Sequence, residues 1–152
     1  MAAVACMTVL STAEGHVSLL SPCPRKGPYK GCQAPSSGQP DYDITAPIGV
    51  YGETIKTTYQ IGASHGGGHC QWALSYDQGK TWVVFQTLIR KCLQNVPKGG
   101  KYSVNVKIPD GAPSGDAIFM WLWNNAIGNR ELYSNCVDVQ IKGTNGGTFT
   151  GV

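Results

Sequence analysis

The chain has 152 residues, enough for one domain with a sizeable core. Only 14% of the residues are charged and 41% are apolar, and 20 glycines with 9 prolines fit a turn-rich all-β protein better than a helical one. The formal charge of +3 comes with no Lys/Arg run longer than two, and no segment is long and apolar enough to span a membrane, so neither nucleic acid nor a bilayer is an expected partner.

Residues 1–15 read as a secretory signal peptide. Ala2 to Leu10 forms a small apolar core, and Ala13-Glu14-Gly15 puts small residues at the −3 and −1 positions of a cut before His16. No Lys or Arg precedes the apolar stretch. Such a cut makes His16 the first residue of a secreted protein, with an imidazole and a free α-amine on one residue. Residues 16–142 then form the domain, and the Gly/Thr-rich residues 143–152 read as a tail. Secretion makes disulfides the expected state of the cysteines. Cys6 leaves with the leader, so Cys23, Cys32, Cys70, Cys92 and Cys136 remain, and an odd thiol is free or pairs with another chain.

Residues 17–21 are β-prone and end at Pro22. Residues 22–49 hold six of the nine prolines and form a long N-terminal loop. Thr54–Ile61 alternates as a strand does, and Gly62 to His69, with three consecutive glycines, interrupts the pattern. Cys70–Tyr76 and Thr81–Leu88 are strands joined by the turn Asp77-Gln78-Gly79-Lys80. Cys70 and Cys92 flank this hairpin and are placed to clamp it, while Cys23, Cys32 and Cys136 compete for a second bridge. Tyr102–Ile108 presents Tyr102, Val104, Val106 and Ile108 on one face. Ala117–Trp123 is apolar on both faces and therefore central, and Glu131–Ile141 is the last strand. Seven or so short strands without helical periodicity predict a β-sandwich of immunoglobulin or fibronectin type. Trp72, Trp82, Trp121 and Trp123 all fall inside strands and are expected to be mostly buried, whereas Tyr29, Tyr42 and Tyr51 fall in loops where a ligand can reach them.

Two histidines carry the most pointed chemistry. A free α-amine titrates near ~7.7–8.0 and is partly deprotonated at neutral pH. The amine and ring of His16 with the ring of His65 make three nitrogens, a planar set that favours Cu(II). His69 competes with His65 for that role or supports it from the surface. On the last strand, alternation sends Glu131, Tyr133 and Asn135 to one face, so an acid and a phenol can line an open site, with Tyr133 axial to a metal. No GxSxG elbow occurs, and Glu131 and Asp138 project to opposite faces, which argues against a serine hydrolase and a two-carboxylate glycosidase.

Four stretches together resemble the fungal lytic polysaccharide monooxygenases, most closely the chitin-active auxiliary activity family eleven. They are His16 itself, Ala63-Ser64-His65-Gly66-Gly67-Gly68-His69-Cys70-Gln71, Leu74-Ser75-Tyr76-Asp77-Gln78-Gly79-Lys80-Thr81 and Gly128-Asn129-Arg130-Glu131-Leu132-Tyr133-Ser134-Asn135-Cys136. The resemblance implies a secreted monomeric enzyme with one copper ion, held by His16 and His65 with Tyr133 axial. Ala63 partly covers the opposite axial side, and Glu131 is an acid close to the metal. It also implies an external electron donor, O2 or H2O2 as co-substrate, and cleavage of a glycan at C1 or C4. Chitin is the leading substrate, with cellulose and pectin behind it. The non-enzymatic alternative is a copper-binding or carbohydrate-binding wall protein of the same fold. The start His16-Val17-Ser18-Leu19-Leu20 departs from the Met-rich start of the chitin-active group. Compared with that family, a segment with a cysteine is also missing after Pro47-Ile48-Gly49, which makes Cys136 the candidate for the orphaned thiol unless it pairs with Cys23 or Cys32.

Overall fold

The computed structural model describes residues 17–25, 48–128, 132–149 and 151. Eight strands form two sheets, and no helix occurs among the described residues. The smaller sheet is antiparallel, in the order β1 (Val17–Ser21), β3 (Thr54–Ile61), β6 (Lys101–Lys107). The larger runs β2 (Gly49–Tyr51), β8 (Leu132–Ile141), β7 (Gly115–Asn125), β4 (Gly68–Ser75), β5 (Val83–Cys92). Only the β2–β8 pair in it is parallel. The predicted immunoglobulin-like sandwich is the observed architecture.

Alternation explains the core. Ile55, Tyr59 and Ile61 of β3 and Val106 of β6 point inward, and Trp72, Leu74, Phe119, Trp121, Trp123, Val137 and Val139 meet them from the larger sheet. β7 has buried residues on both faces and lies in the middle of its sheet, as its continuous apolar run predicts. Tyr59 is buried under Trp72, whose Nε1 donates to its hydroxyl at 2.9 Å, and burial drives that phenol far above its ordinary range. The β4–β5 turn is built as expected, with Gln78 and Gly79 both at positive φ. Asp77 accepts from the Thr81 hydroxyl at 2.7 Å and the Thr81 N–H at 2.9 Å, bonds that lower its carboxyl pKa to about 2.

Four readings change. β2 was not expected; it is three residues long, and its partner β8 lies about ninety residues away, so no local pattern announces it. Tyr51 consequently sits half-buried in β2 against the core and not in an open loop. Trp82 precedes β5 and is only half-buried, whereas Trp72, Trp121 and Trp123 are fully buried as expected. The Gly/Thr-rich segment expected as a tail lies against the sandwich as far as Phe149: Thr144 bridges Pro113, and Phe149 packs edge-on against Phe85.

The Cys70–Cys92 bridge forms as expected and is buried, with the Trp121 Nε1 donating to the Cys70 sulfur at 3.2 Å. Cys23 and Cys136 are each disulfide-bonded, and none of the described cysteines is free. Of the two readings of Cys136, the orphaned thiol is ruled out and the re-paired cysteine stands. Cys136 is buried beneath the segment that carries Cys23, where the Arg25 N–H donates to the Cys136 carbonyl at 2.8 Å. Cys32 lies outside the described residues.

Candidate functional site

One end of the sandwich collects the start of β1, the end of β3, the β3–β4 loop, the end of β5, the β7–β8 loop and the start of β8. The register shows this directly: Val17 faces Ile61, Gly68 faces both Cys92 and Asn125, and Trp123 faces Tyr133. β1 is also tied across to β8, since the Leu19 N–H donates to the Asn135 side-chain oxygen at 3.0 Å.

His65 stands at this end, in the β3–β4 loop. Its φ is +44°, and Gly66, Gly67 and Gly68 follow at +72°, +84° and +141°. Four successive positive values require glycine at most positions, and histidine is among the residues that tolerate the left-handed region best. A tight turn closes with the Gly67 N–H donating to the Ser64 carbonyl at 2.7 Å. The loop is then fastened to the β7–β8 connection. The Ile127 N–H donates to the His65 carbonyl at 2.9 Å, the Ala126 N–H to the Gly67 carbonyl at 3.0 Å, and the Trp123 indole to that same carbonyl at 3.3 Å.

The glycines are also sterically required. A Cβ on Gly67 would lie 2.8 Å from the Cys92 carbonyl oxygen, and one on Gly68 would run into the carbonyl oxygen of Asn124. Gly68→Ala should therefore cost about 1–3 kcal/mol from its backbone alone, and more from the displaced strand. Thermal unfolding checks this, with a midpoint roughly 5 °C or more below the parent expected for a chain of this size.

Trp123 joins the two described candidate ligands. Its ring centroid is 6.1 Å from that of His65 and 5.0 Å from that of Tyr133, the latter nearly parallel at 26°. Behind it Trp121 stacks at 6.3 Å and 12°. His65 and Tyr133 are both half-buried, so each presents part of its ring to solvent. A Cβ on Gly128 would come 3.6 Å from the His65 Nδ1, so the glycine keeps a side chain off that nitrogen. Ala63 is half-buried two residues before His65.

His69 is in a different situation. It points outward from β4, is exposed, and accepts the Arg90 N–H on Nδ1 at 3.3 Å. Between the pairs Gly68–Cys92 and Cys70–Leu88, β5 has three residues where β4 has one, and Arg90 is at positive φ, +63°. The bulge takes the Arg90 N–H out of the ladder, and the imidazole supplies its acceptor. Nothing among the residues of β5 marks that bulge locally.

His16 and Glu131 lie outside the described residues. Val17, covalently next to His16, begins β1 at this end; Leu132, next to Glu131, begins β8 here as well. Among the described residues no three His, Cys, Asp or Glu side chains gather as a metal site. An imidazole and a phenol are both groups able to bind a borderline metal ion, and they lie on either side of one indole.

No protein-family model matches the chain. It is 43% identical over 132 residues to the AA11 family lytic polysaccharide monooxygenase A of Aspergillus fumigatus, a match covering 85% of this chain and 55% of that protein. It is 30% identical over 157 residues to the AA11 family lytic polysaccharide monooxygenase of Aspergillus oryzae, covering 88% of this chain and 37% of that one. The chain thus spans about half or less of the length of the curated relatives it matches. Its fold resembles that of a cellulose-active polysaccharide monooxygenase from M. thermophila, at a TM-score of 0.52 and 15% identity, over 80% of this chain and 63% of that one.

Proposed function

We propose that this homologue of the AA11 family lytic polysaccharide monooxygenases is itself a secreted, copper-dependent enzyme that cleaves polysaccharide chains by oxidation. The observation that carries the reading is the pairing of His65 and Tyr133 around Trp123, at the end of the sandwich where β1 starts immediately after His16.

In this reading His16, freed as the first residue, contributes its amine and ring, and His65 contributes the third nitrogen. Tyr133 would be a further ligand and Ala63 would border the ion. Copper held there would supply the means of activating O2 or H2O2 with electrons from an external donor. The chain's own residues do the rest. The positive-φ turn and its bonds to residues 126–127 hold the backbone of His65 in place without help from a ligand. Trp123 fills the space behind both candidate ligands and keeps water out of it. Glu131 is the acid available to hold or pass a proton at the metal. Chitin is the substrate favoured by the resemblance, with cleavage at C1 or C4, and cellulose and pectin are the other candidates.

The test is direct. Secreted protein whose N-terminal residue is His16, given equimolar Cu(II) and a reductant, should release oxidised oligosaccharides from one of these polymers by mass spectrometry. Absence of such products on all three would overturn the enzymatic reading. Tight copper binding without products would instead favour the non-catalytic copper-binding protein.

A further inference from the structure

The +3 charge looks scattered along the sequence, but the fold sorts it. β5 and β6 are both edge strands, one in each sheet, and the Lys107 N–H donates to the Gln86 side chain at 3.3 Å, so the two edges lie side by side. Their connection, residues 93–100, passes over the end that carries His65. The Gly99 N–H donates to the Ile61 carbonyl at 2.7 Å, and Gly67 abuts the backbone of Gln94. Arg90, Lys91, Lys98 and Lys101 project from this corner, all exposed and none in an ion pair among the described residues. The β5 bulge at Arg90 helps turn the first two outward.

No described acid shares the corner. Glu53, Asp77, Asp110 and Asp116 lie at the opposite end, before β3, in the β4–β5 and β6–β7 turns and at the start of β7. Asp138 is engaged by Arg25, whose Nε donates to it at 2.7 Å. Across the site, the exposed flank is apolar: Ile127 is 66% and Leu132 64% exposed. One side of the His65 end therefore offers hydrocarbon, which suits the C–H faces of sugar rings, and the other offers four cations.

We infer that this corner binds an acidic, uronate-bearing polysaccharide, with its carboxylates on Arg90, Lys91, Lys98 and Lys101 and its ring faces toward Ile127 and Leu132. A neutral glycan would make no use of the cations, and a nucleic acid backbone would make no use of the apolar flank. The inference takes its orientation from the function proposed above, but the binding needs no metal and is tested without one. It places a polyuronate at the His65 end either as the chain that is cut or as the matrix holding the chain that is cut.

The experiment measures retention of the EDTA-treated, full chain on polygalacturonate, on the same polymer fully methyl-esterified, on chitin and on duplex DNA. Exposed cations act through screened Coulomb attraction. Retention on polygalacturonate should therefore be strong at low ionic strength and fall at least tenfold by about 0.5 M salt, where the screening length has shrunk to a few ångströms. The esterified polymer should bind at least tenfold more weakly. Replacing Arg90, Lys91, Lys98 and Lys101 together by Gln should abolish the difference, while Lys80→Gln with Lys142→Gln, at the far end, should leave retention within twofold. Equal loss in the far-end variant, equal retention on the esterified polymer, or equal retention on DNA overturns the inference. Salt-sensitive polyuronate binding without oxidative cleavage of any polymer would sink the enzymatic reading and leave this one standing.

Discussion

The His65→Asn variant is expected to lose tight Cu(II) binding while keeping the parent's melting temperature. Loss of groups that merely orient a metal ligand commonly costs 10–100-fold in affinity, so removing a ligand outright should cost on the order of 100-fold or more. Asparagine is the informative replacement because position 65 has φ +44°. Asparagine accepts the left-handed region, whereas alanine there adds about 1–2 kcal/mol of backbone strain and confuses stability with binding. Calorimetric titration with Cu(II) reads the affinity, and a thermal melt reads the fold. Copper affinity within threefold of the parent would remove His65 from the site. His69→Asn is the companion control: it disturbs the acceptor for the Arg90 N–H and should leave copper affinity unchanged.

Trp123→Ala should be the most destabilising single change at this end of the molecule, at about 3–5 kcal/mol. The ring is fully buried, stacks on both Trp121 and Tyr133, and donates to the Gly67 carbonyl. Its removal opens a void directly beneath His65 and Tyr133. Trp123→Phe separates the two contributions. It keeps most of the packing and loses the indole donor, leaving the Gly67 carbonyl with the Ala126 N–H alone, a loss of about 1 kcal/mol. Urea unfolding of the two variants measures both numbers. An alanine variant within 1 kcal/mol of the parent would mean that the indole does not support the site.

Much of this was legible in the chain because it is locally encoded. Period-2 alternation located β3 and β6, and a continuous apolar run located β7. The Asp77–Lys80 turn and the glycine triplet declared themselves by residue type. What escaped depends on distant partners. β2 exists only because β8 offers it an edge, and Asn135 gives no hint that it holds Leu19 across the two sheets. The Arg25–Asp138 pair joins residues 113 positions apart. The cationic corner escaped for the same reason: its charges are ordinary in sequence, and only the adjacency of two edge strands and the absence of any described acid from that corner give them a direction. The histidine pattern was legible through resemblance more than through physics, since a lone His beside glycines is usually just a solvated residue.

The fastening between the His65 turn and residues 126–127 uses main-chain atoms on both sides. These bonds do not depend on which side chains stand at 126 and 127, although the Ile127 side chain lies over Gly66. An exchange at position 127 therefore leaves the main-chain bonds that hold the turn as they were. The shape of this surface and the anchoring of the turn can be inherited separately.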